Sequence, residues 1–212
     1  MLTVLTVLKS GGEYTPEWVY KLEKAVLRHL SVPHRFKCLS DVALQCETIA
    51  LAHDWPGWWS KIEVFRPGIV TGPTLYLDLD TVLVGSIDRL ADFPEDFAMM
   101  RNLNASWMPG SAVMWLRNAP EAVYARFAAD PEGCMTQYNE ARDGSYLGDQ
   151  ALIWDTLHRK VTYLTDRVPG LIRSYRRHCM AGVPEGCSLV AFGGKQKPST
   201  VKDEWVKENW NA

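Results

Sequence analysis

The sequence predicts one α/β domain built on a mixed, mostly parallel sheet flanked by helices. Three observations predict it. An apolar run at the amino terminus is followed by a helical repeat and then by a second apolar run, and strand, helix, strand is how a parallel sheet begins. Leu75 and Leu77 flank Tyr76 in a strand without strict alternation, as expected when helices cover both faces of a sheet. Finally, 212 residues with 47% hydrophobic side chains suffice for one full core and are short for two independent domains.

The β-branched run Leu2–Leu8 is stopped by Lys9-Ser10-Gly11-Gly12, a buried strand entering a loop. Thr15 before Pro16 gives a helix start, and Trp18, Leu22, Ala25, Val26 and His29 or Leu30 recur at helical spacing. Residues 34–39 read as the second strand, followed by a short apolar piece at 48–52. The next segment begins as a Pro56-Gly57 turn and becomes a short helix through Lys61 and Phe65. Beyond the strand around Tyr76, strands are expected at 97–100, 112–116, 161–164 and 189–192. Helices are expected after Pro120 and after Asp149, with a short amphipathic helix over 201–210. Residues 130–148, rich in glycine and polar side chains, read as a mobile loop. There are no repeats and no low-complexity linker.

The charge balance, 23 Lys and Arg against 25 Asp and Glu, argues against a general nucleic-acid binder or a polybasic membrane anchor. Five cysteines without a Cys-x-x-Cys spacing are expected to be reduced thiols. The opening run lacks a basic region and a small-residue cleavage site, so it reads as a strand and not as a signal peptide. No stretch of roughly eighteen apolar residues is present to span a bilayer. A cytoplasmic enzyme is the expectation.

Chemistry enters at Asp78-Leu79-Asp80, which closes an apolar strand. Uncompensated charge at such a place is costly, and a divalent cation supplies compensation. Carboxylates two residues apart on extended chain share a side; as hard oxygen ligands they suit Mg²⁺ or Mn²⁺ carrying a diphosphate. Two other readings stay open at this point. Aspartates at a strand exit also form turns and caps, and an apolar strand followed by Asp78-Leu79-Asp80-Thr81-Val82 resembles the first motif of haloacid-dehalogenase-type phosphatases, with Asp78 as nucleophile. Position weighs against the phosphatase, whose motif ends the first strand of the chain. Here a strand, a long helix and a further strand come first, and Asp149 and Asp155 are too widely spaced for its later acidic pair.

Together with four more segments, the chain resembles the glycosyltransferase A fold and is similar to glycosyltransferase family 8 and its bacterial relatives. Gly57-Trp58-Trp59-Ser60-Lys61 resembles the Ser-Lys helix before the metal strand, and the resemblance implies that Lys61 reaches the sugar nucleotide. Pro109-Gly110-Ser111-Ala112 resembles the strand beside the donor sugar, with Gly110 and Ser111 against the ligand and Met108 where an asparagine is frequent. Gly148-Asp149-Gln150 resembles the Asp-Gln pair that opens a helix, which implies catalytic roles for Asp149 at sugar hydroxyls and Gln150 near the anomeric carbon. Gly194, Lys197 and Pro198 match the closing His-x-x-Gly-x-x-Lys-Pro motif that holds the diphosphate, but Ala191 stands at the histidine that would be the third metal ligand. Thr6, Lys9, Tyr14 and Asp41 fall where such folds hold the nucleotide.

The resemblance thus implies residues 1–100 as a nucleotide and metal part and 101–212 as a donor-sugar and acceptor part. The activity implied is metal-dependent transfer of a hexosyl group from a nucleotide-diphosphate sugar, a UDP-sugar by expectation, to a hydroxyl acceptor with retention. Mn²⁺ or Mg²⁺ would rest on Asp78 and Asp80. The competing class is a noncatalytic sugar-nucleotide or glycan-binding module, which Ala191 keeps open. Arg167, Arg173, Arg176, Arg177 and His178 form a basic stretch, readable as a solvated face or as a site for an anionic acceptor. Trp107 and Trp58 or Trp59 are candidates for sugar stacking, and His158 for a helix cap.

Overall fold

Strand β1 (Leu2–Leu8) runs through the middle of the main sheet in the computed structural model, which describes residues 1–139 and 147–211. On one side it pairs in parallel with β2 (His34–Ser40), which pairs in parallel with β3 (Glu47–Ala50). On the other side it pairs in parallel with β4 (Thr74–Leu77). The sheet then turns antiparallel through β7 (Pro109–Leu116) and β6 (Phe97–Arg101), and ends on β8 (Thr162–Tyr163), parallel to β6. A smaller sheet holds β5 (Thr81–Leu83), β10 (Leu189–Ala191) and β9 (Ile172–Ser174) in the order β5-β10-β9.

Helix α1 (Pro16–His29) explains one face of the main sheet. Its buried residues Trp18, Val19, Leu22, Ala25 and Val26 recur every three or four positions and join Val4, Leu8, Leu75 and Leu77 in one core. Burying such side chains contributes about 1.5–3 kcal/mol each. The opposite face is covered by the 3-10 helix Gly57–Phe65, by α2 (Ala122–Ala129) and by α4 (Gly148–Thr156). Here Trp59, Ile62, Phe65, Phe127 and Leu152 pack on Leu5, Tyr76 and Met114. Both faces of β4 are therefore covered, which is why its side chains do not alternate.

Several expectations change. Asp130 opens a helix, α3 (Pro131–Asn139), inside the segment read as a loop: Asp130 Oδ1 accepts a hydrogen bond from the backbone N–H of Gly133 at 2.9 Å, and Cys134 and Tyr138 bury one turn apart. Residues 140–146 of that segment lie outside the described residues. The strand expected at 161–164 ends early because Leu164 begins α5 (Leu164–Arg167). Pro109 and Gly110 lie within β7 and pair with Arg101 and Met100, and the register between β6 and β7 shifts between Met99 and Met100. The terminal helix α6 (Glu204–Trp210) starts three residues later than expected. His158 follows the end of α4 with φ of 53°, and its N–H bonds the carbonyl of Asp155. No helix among the described residues is long and apolar enough to cross a membrane.

Candidate functional site

The connection from β1 leaves toward β2 and the chain returns on the other side as β4, so the strand order reverses at the β1/β4 pair. Ligand crevices in open α/β sheets form at such a point, outside the carboxyl ends of the strands. The loop after β1 and the Asp78–Asp80 segment after β4 meet here, on the wall of a cavity of about 1350 Å³.

Lys61 organises the centre of that wall. Its residue is 7% exposed, its Nζ lies 2.8 Å from Asp78 Oδ1 and 3.2 Å from Asp149 Oδ2, and it donates to Ser111 Oγ at 3.1 Å. Tyr76 donates its hydroxyl to Asp78 Oδ1 at 2.7 Å. Burial by itself would lower the Lys61 pKa, but Asp149 and Asp78 outweigh it and hold the ammonium charged, above its ordinary value. Asp78 is pushed the opposite way: burial raises its pKa, Lys61 opposes, and the neighbouring Asp80 and Asp149 raise it further. The second cluster lies beside the first. Lys197 Nζ sits 2.6 Å from Asp80 Oδ2 and 2.7 Å from the Tyr14 hydroxyl, which itself donates to Asp80 Oδ2 at 3.0 Å. Burial, with Asp80 close by, raises the Tyr14 pKa well above its ordinary value, so the phenol stays a donor.

Three carboxylates thus share two ammonium groups, and the cluster carries excess negative charge. Asp149 Oδ2 touches Lys61 by charge, yet it is buried without a hydrogen-bond partner among the described residues. Asp149 lies in the lining of the cavity, and Lys61 at 3.2 Å is the charged neighbour of its buried Oδ2.

Two glycines are required for backbone reasons. Gly194 has φ of 70°, a left-handed conformation costly for other residues. A Cβ on Gly110 would lie 3.3 Å from the Asn102 Cα, so its smallness first serves the close approach of β7 to the chain leaving β6.

Lys9, Tyr14, Lys61, Asp78, Asp80, Gly110, Ser111, Asp149, Gln150, Gly194 and Lys197 all line the cavity. Thr6 and Asp41 do not. Thr6 is fully buried inside β1, on the face shared with Val4 and Leu8, whereas Val7 faces the cavity. Asp41 acts from behind the wall, accepting from Lys9 Nζ, from the Ser10 N–H at 2.8 Å and from the Ser10 hydroxyl at 2.7 Å.

Of the basic stretch, Arg176 and Arg177 reach the cavity; Arg167 pairs with Glu95 and His178 Nδ1 accepts from the Ser174 N–H. Trp58 lines the cavity, Trp59 is core, and Trp107 stands against Trp154 away from the lining. Met108, at the position where an asparagine is frequent, is fully buried against Ala105 and Trp154. Asn102 and Asn104 line the cavity from the β6–β7 connection. They were missed because nothing in their spacing separates them from ordinary turn residues.

A cation held by this chain would rest on Asp78 and Asp80. Among the described residues no three His, Cys, Asp or Glu side chains gather to hold a metal by themselves, and Ala191, in register with Thr81 and Ser174, offers no ligand. Two carboxylates with excess negative charge nevertheless fit an ion that a diphosphate brings with it, because Mg²⁺ is commonly held by one or two carboxylates and substrate phosphates.

No family model matches the sequence, and no curated protein matches it. Solved structures do. The glycosyltransferase GlyE of Streptococcus pneumoniae TIGR4 superposes with a TM-score of 0.64 at 12% identity, over 99% of this chain and 61% of GlyE. An active-site variant of LgtC superposes with a TM-score of 0.67 at 12% identity, over 99% of this chain and 94% of that one. The galactosyltransferase LgtC in complex with donor and acceptor sugar analogues gives 0.62 at 13% identity. The bifunctional glycosyltransferase WbbM gives 0.61 at 11%, with this chain spanning 49% of its length. The chain therefore has the glycosyltransferase A fold and spans less than two thirds of GlyE.

Proposed function

We propose that the protein is a hexosyltransferase that takes its sugar from a nucleotide-diphosphate donor, a UDP-sugar, and transfers it to a hydroxyl acceptor. The observation that carries this reading is the paired cluster at the sheet's switch point, in which Lys61 joins Asp78 to Asp149 and Lys197 joins Asp80 to Tyr14. In a fold shared with glycosyltransferases, each group then has a task. Residues 1–100 supply the nucleotide and diphosphate side, and 101–212 the sugar and acceptor side.

The nucleotide enters over the loop from Lys9 to Tyr14, which Asp41 holds from behind, with Tyr14 against the base or the diphosphate. Lys197 leaves Asp80 for the diphosphate, trading one charge-assisted partner for another. Asp78 and Asp80 would hold Mn²⁺ or Mg²⁺, which when bound would supply Lewis-acid neutralisation of the charge on the leaving diphosphate. Gly194 lets the backbone approach the same phosphates, and Gly110 and Ser111 flank the sugar. Asp149 Oδ2 accepts a hydrogen bond from a sugar hydroxyl, completing its buried acceptor, while Lys61 fixes that carboxylate in place. Gln150 lies at the face of the anomeric carbon away from the leaving group, the side relevant to a retaining transfer.

Incubation with labelled UDP-hexoses and Mn²⁺ tests this. The proposal expects sugar release to water or to added acceptors, lost in Asp149→Asn. Nucleotide binding with no turnover across the panel would favour the second reading, a noncatalytic sugar-nucleotide-binding module, to which Ala191 lends weight. Release of phosphate from an aryl phosphate through Asp78 would instead support a phosphatase. Position along the chain counts against that reading, because β1, α1, β2 and β3 all precede the strand that Asp78 follows.

A further inference from the structure

The basic residues on the cavity wall divide into two kinds. Lys9, Lys61 and Lys197 each lie within 2.8 Å of a carboxylate oxygen. Arg176 and Arg177 line the same cavity and have no carboxylate partner among the described residues. A solvated basic face would leave both side chains free, but Arg177 is fixed. Its Nε donates to Asn104 Oδ1 at 3.1 Å and its Nη2 to the Asn104 carbonyl at 2.9 Å, while Asn104 itself is held through its N–H by Asn102 Oδ1 at 2.9 Å.

The backbone below the arginines is also built. Both lie in the π-turn Tyr175–Cys179, a rare conformation that recurs at functional sites. Tyr175 is buried, stacks on Phe192 at 4.4 Å and donates to Asp203 at 2.6 Å, and Cys179 is fully buried. The register locates the turn. Thr81 pairs with Ala191 and Ala191 with Ser174, so each step across β5-β10-β9 moves away from Asp80 and ends beside the arginines. Asn104 belongs to the β6–β7 connection, whose Asn102 approaches Gln150. Through Asn104 and Asn102, Arg177 is therefore linked to the Gln150 side of the cavity.

We propose that Arg176 and Arg177 form an anion subsite that selects an acceptor carrying a negative group, a sugar acid or a sugar phosphate. The carboxylate or phosphate sits between the two guanidinium groups, Arg177 presenting its remaining N–H donors and Arg176 closing from the rim. This rests on the transferase reading for the word acceptor, but the subsite itself does not require turnover. No bond is made or broken at it.

Equilibrium binding, read from the rise in melting temperature with ligand concentration, tests it with methyl glucuronide, methyl glucoside 6-phosphate and neutral methyl glucoside, each with and without saturating UDP and Mn²⁺. The expected result is at least about tenfold tighter binding of one anionic glycoside than of the neutral one, the magnitude of a charge-assisted pair. The better of the two anionic probes identifies carboxylate or phosphate. The preference weakens with added salt, survives saturating UDP, and falls to about unity in Arg176→Glu and Arg177→Ala. Equal affinity for neutral and anionic probes overturns the proposal. So does competitive loss of the anionic glycoside when UDP is added, which would assign the arginines to the donor diphosphate. An arginine-dependent preference in a protein that binds no nucleotide would uphold the subsite and overturn the transferase reading instead.

Discussion

Lys61 decides the charge state of the cavity, because it is the cation shared by Asp78 and Asp149. Replacing it by methionine keeps the length and leaves both carboxylates buried without their counter-charge, a loss of about 3–5 kcal/mol. The cost has a pH signature. Asp78 already has a raised pKa, from burial first and from Asp80 and Asp149 as well; without Lys61 it rises further. Stability tied to a raised carboxyl pKa is present at low pH and lost as pH rises through the folded value. The destabilisation of Lys61→Met, followed by chemical unfolding, is thus expected to be smaller near pH 5 than near pH 8. Asp41 shows the reverse sign. Burial would raise its pKa, but Lys9 and the Ser10 N–H and hydroxyl overturn that and hold it at about 2. Its contribution is present above its ordinary pKa and fades as pH falls toward 2, so the melting temperatures of wild type and Asp41→Asn should converge between about pH 4 and pH 2. Of these residues, Asp78 and Asp80 stood out because charge at the end of an apolar strand needs an explanation, whereas Lys61, Asp149 and Lys197 were reached only through the resemblance to glycosyltransferase family 8. Their partners were not legible: that Tyr14 would donate to Asp80, or Tyr76 to Asp78, depends on strand register that no local pattern encodes.

Among the elements, α3 shows how a composition argument fails. Glycine and polar residues at 130–139 suggested a loop, yet Asp130-Pro131-Glu132-Gly133 is an N-cap, a proline in the first turn and an acidic residue near the positive end of the helix. The capping chemistry outweighed Gly133. Asp130→Ala removes the hydrogen bond to the Gly133 N–H and is expected to cost about 1 kcal/mol, read from denaturant unfolding. In the loop after β10, Gly194→Ala forces a left-handed residue to carry a side chain into otherwise open space, at about 1 kcal/mol. α1 was legible because its periodicity reports burial directly, and β1 and β4 because a short apolar run without alternation marks a strand covered on both faces. β9 and the π-turn were not, since Ile172–Ser174 is too short to show a period and its neighbour β10 is distant in sequence.

For the whole molecule, the strand-helix-strand opening led to the α/β class, and the crossing at β1/β4 then fixed where a ligand crevice must lie. The partition into two sheets was not visible, because β5 follows β4 after the single turn Asp78–Asp80 and reads as a continuation of it until its pairing with β10 separates it. That separation matters, since it places the loop carrying Gly194 and Lys197 opposite Asp78 and Asp80. Gly194, Lys197, Asp78 and Asp80 are proposed to hold a nucleotide diphosphate together with a divalent ion. Calorimetric titration of UDP into the wild type and into Asp80→Asn, each with Mn²⁺ and with chelator, tests it most directly. The wild type is expected to bind UDP with Mn²⁺ at least about tenfold tighter than with chelator, and Asp80→Asn to abolish this difference while remaining folded. Equal UDP affinity in all four titrations would contradict it.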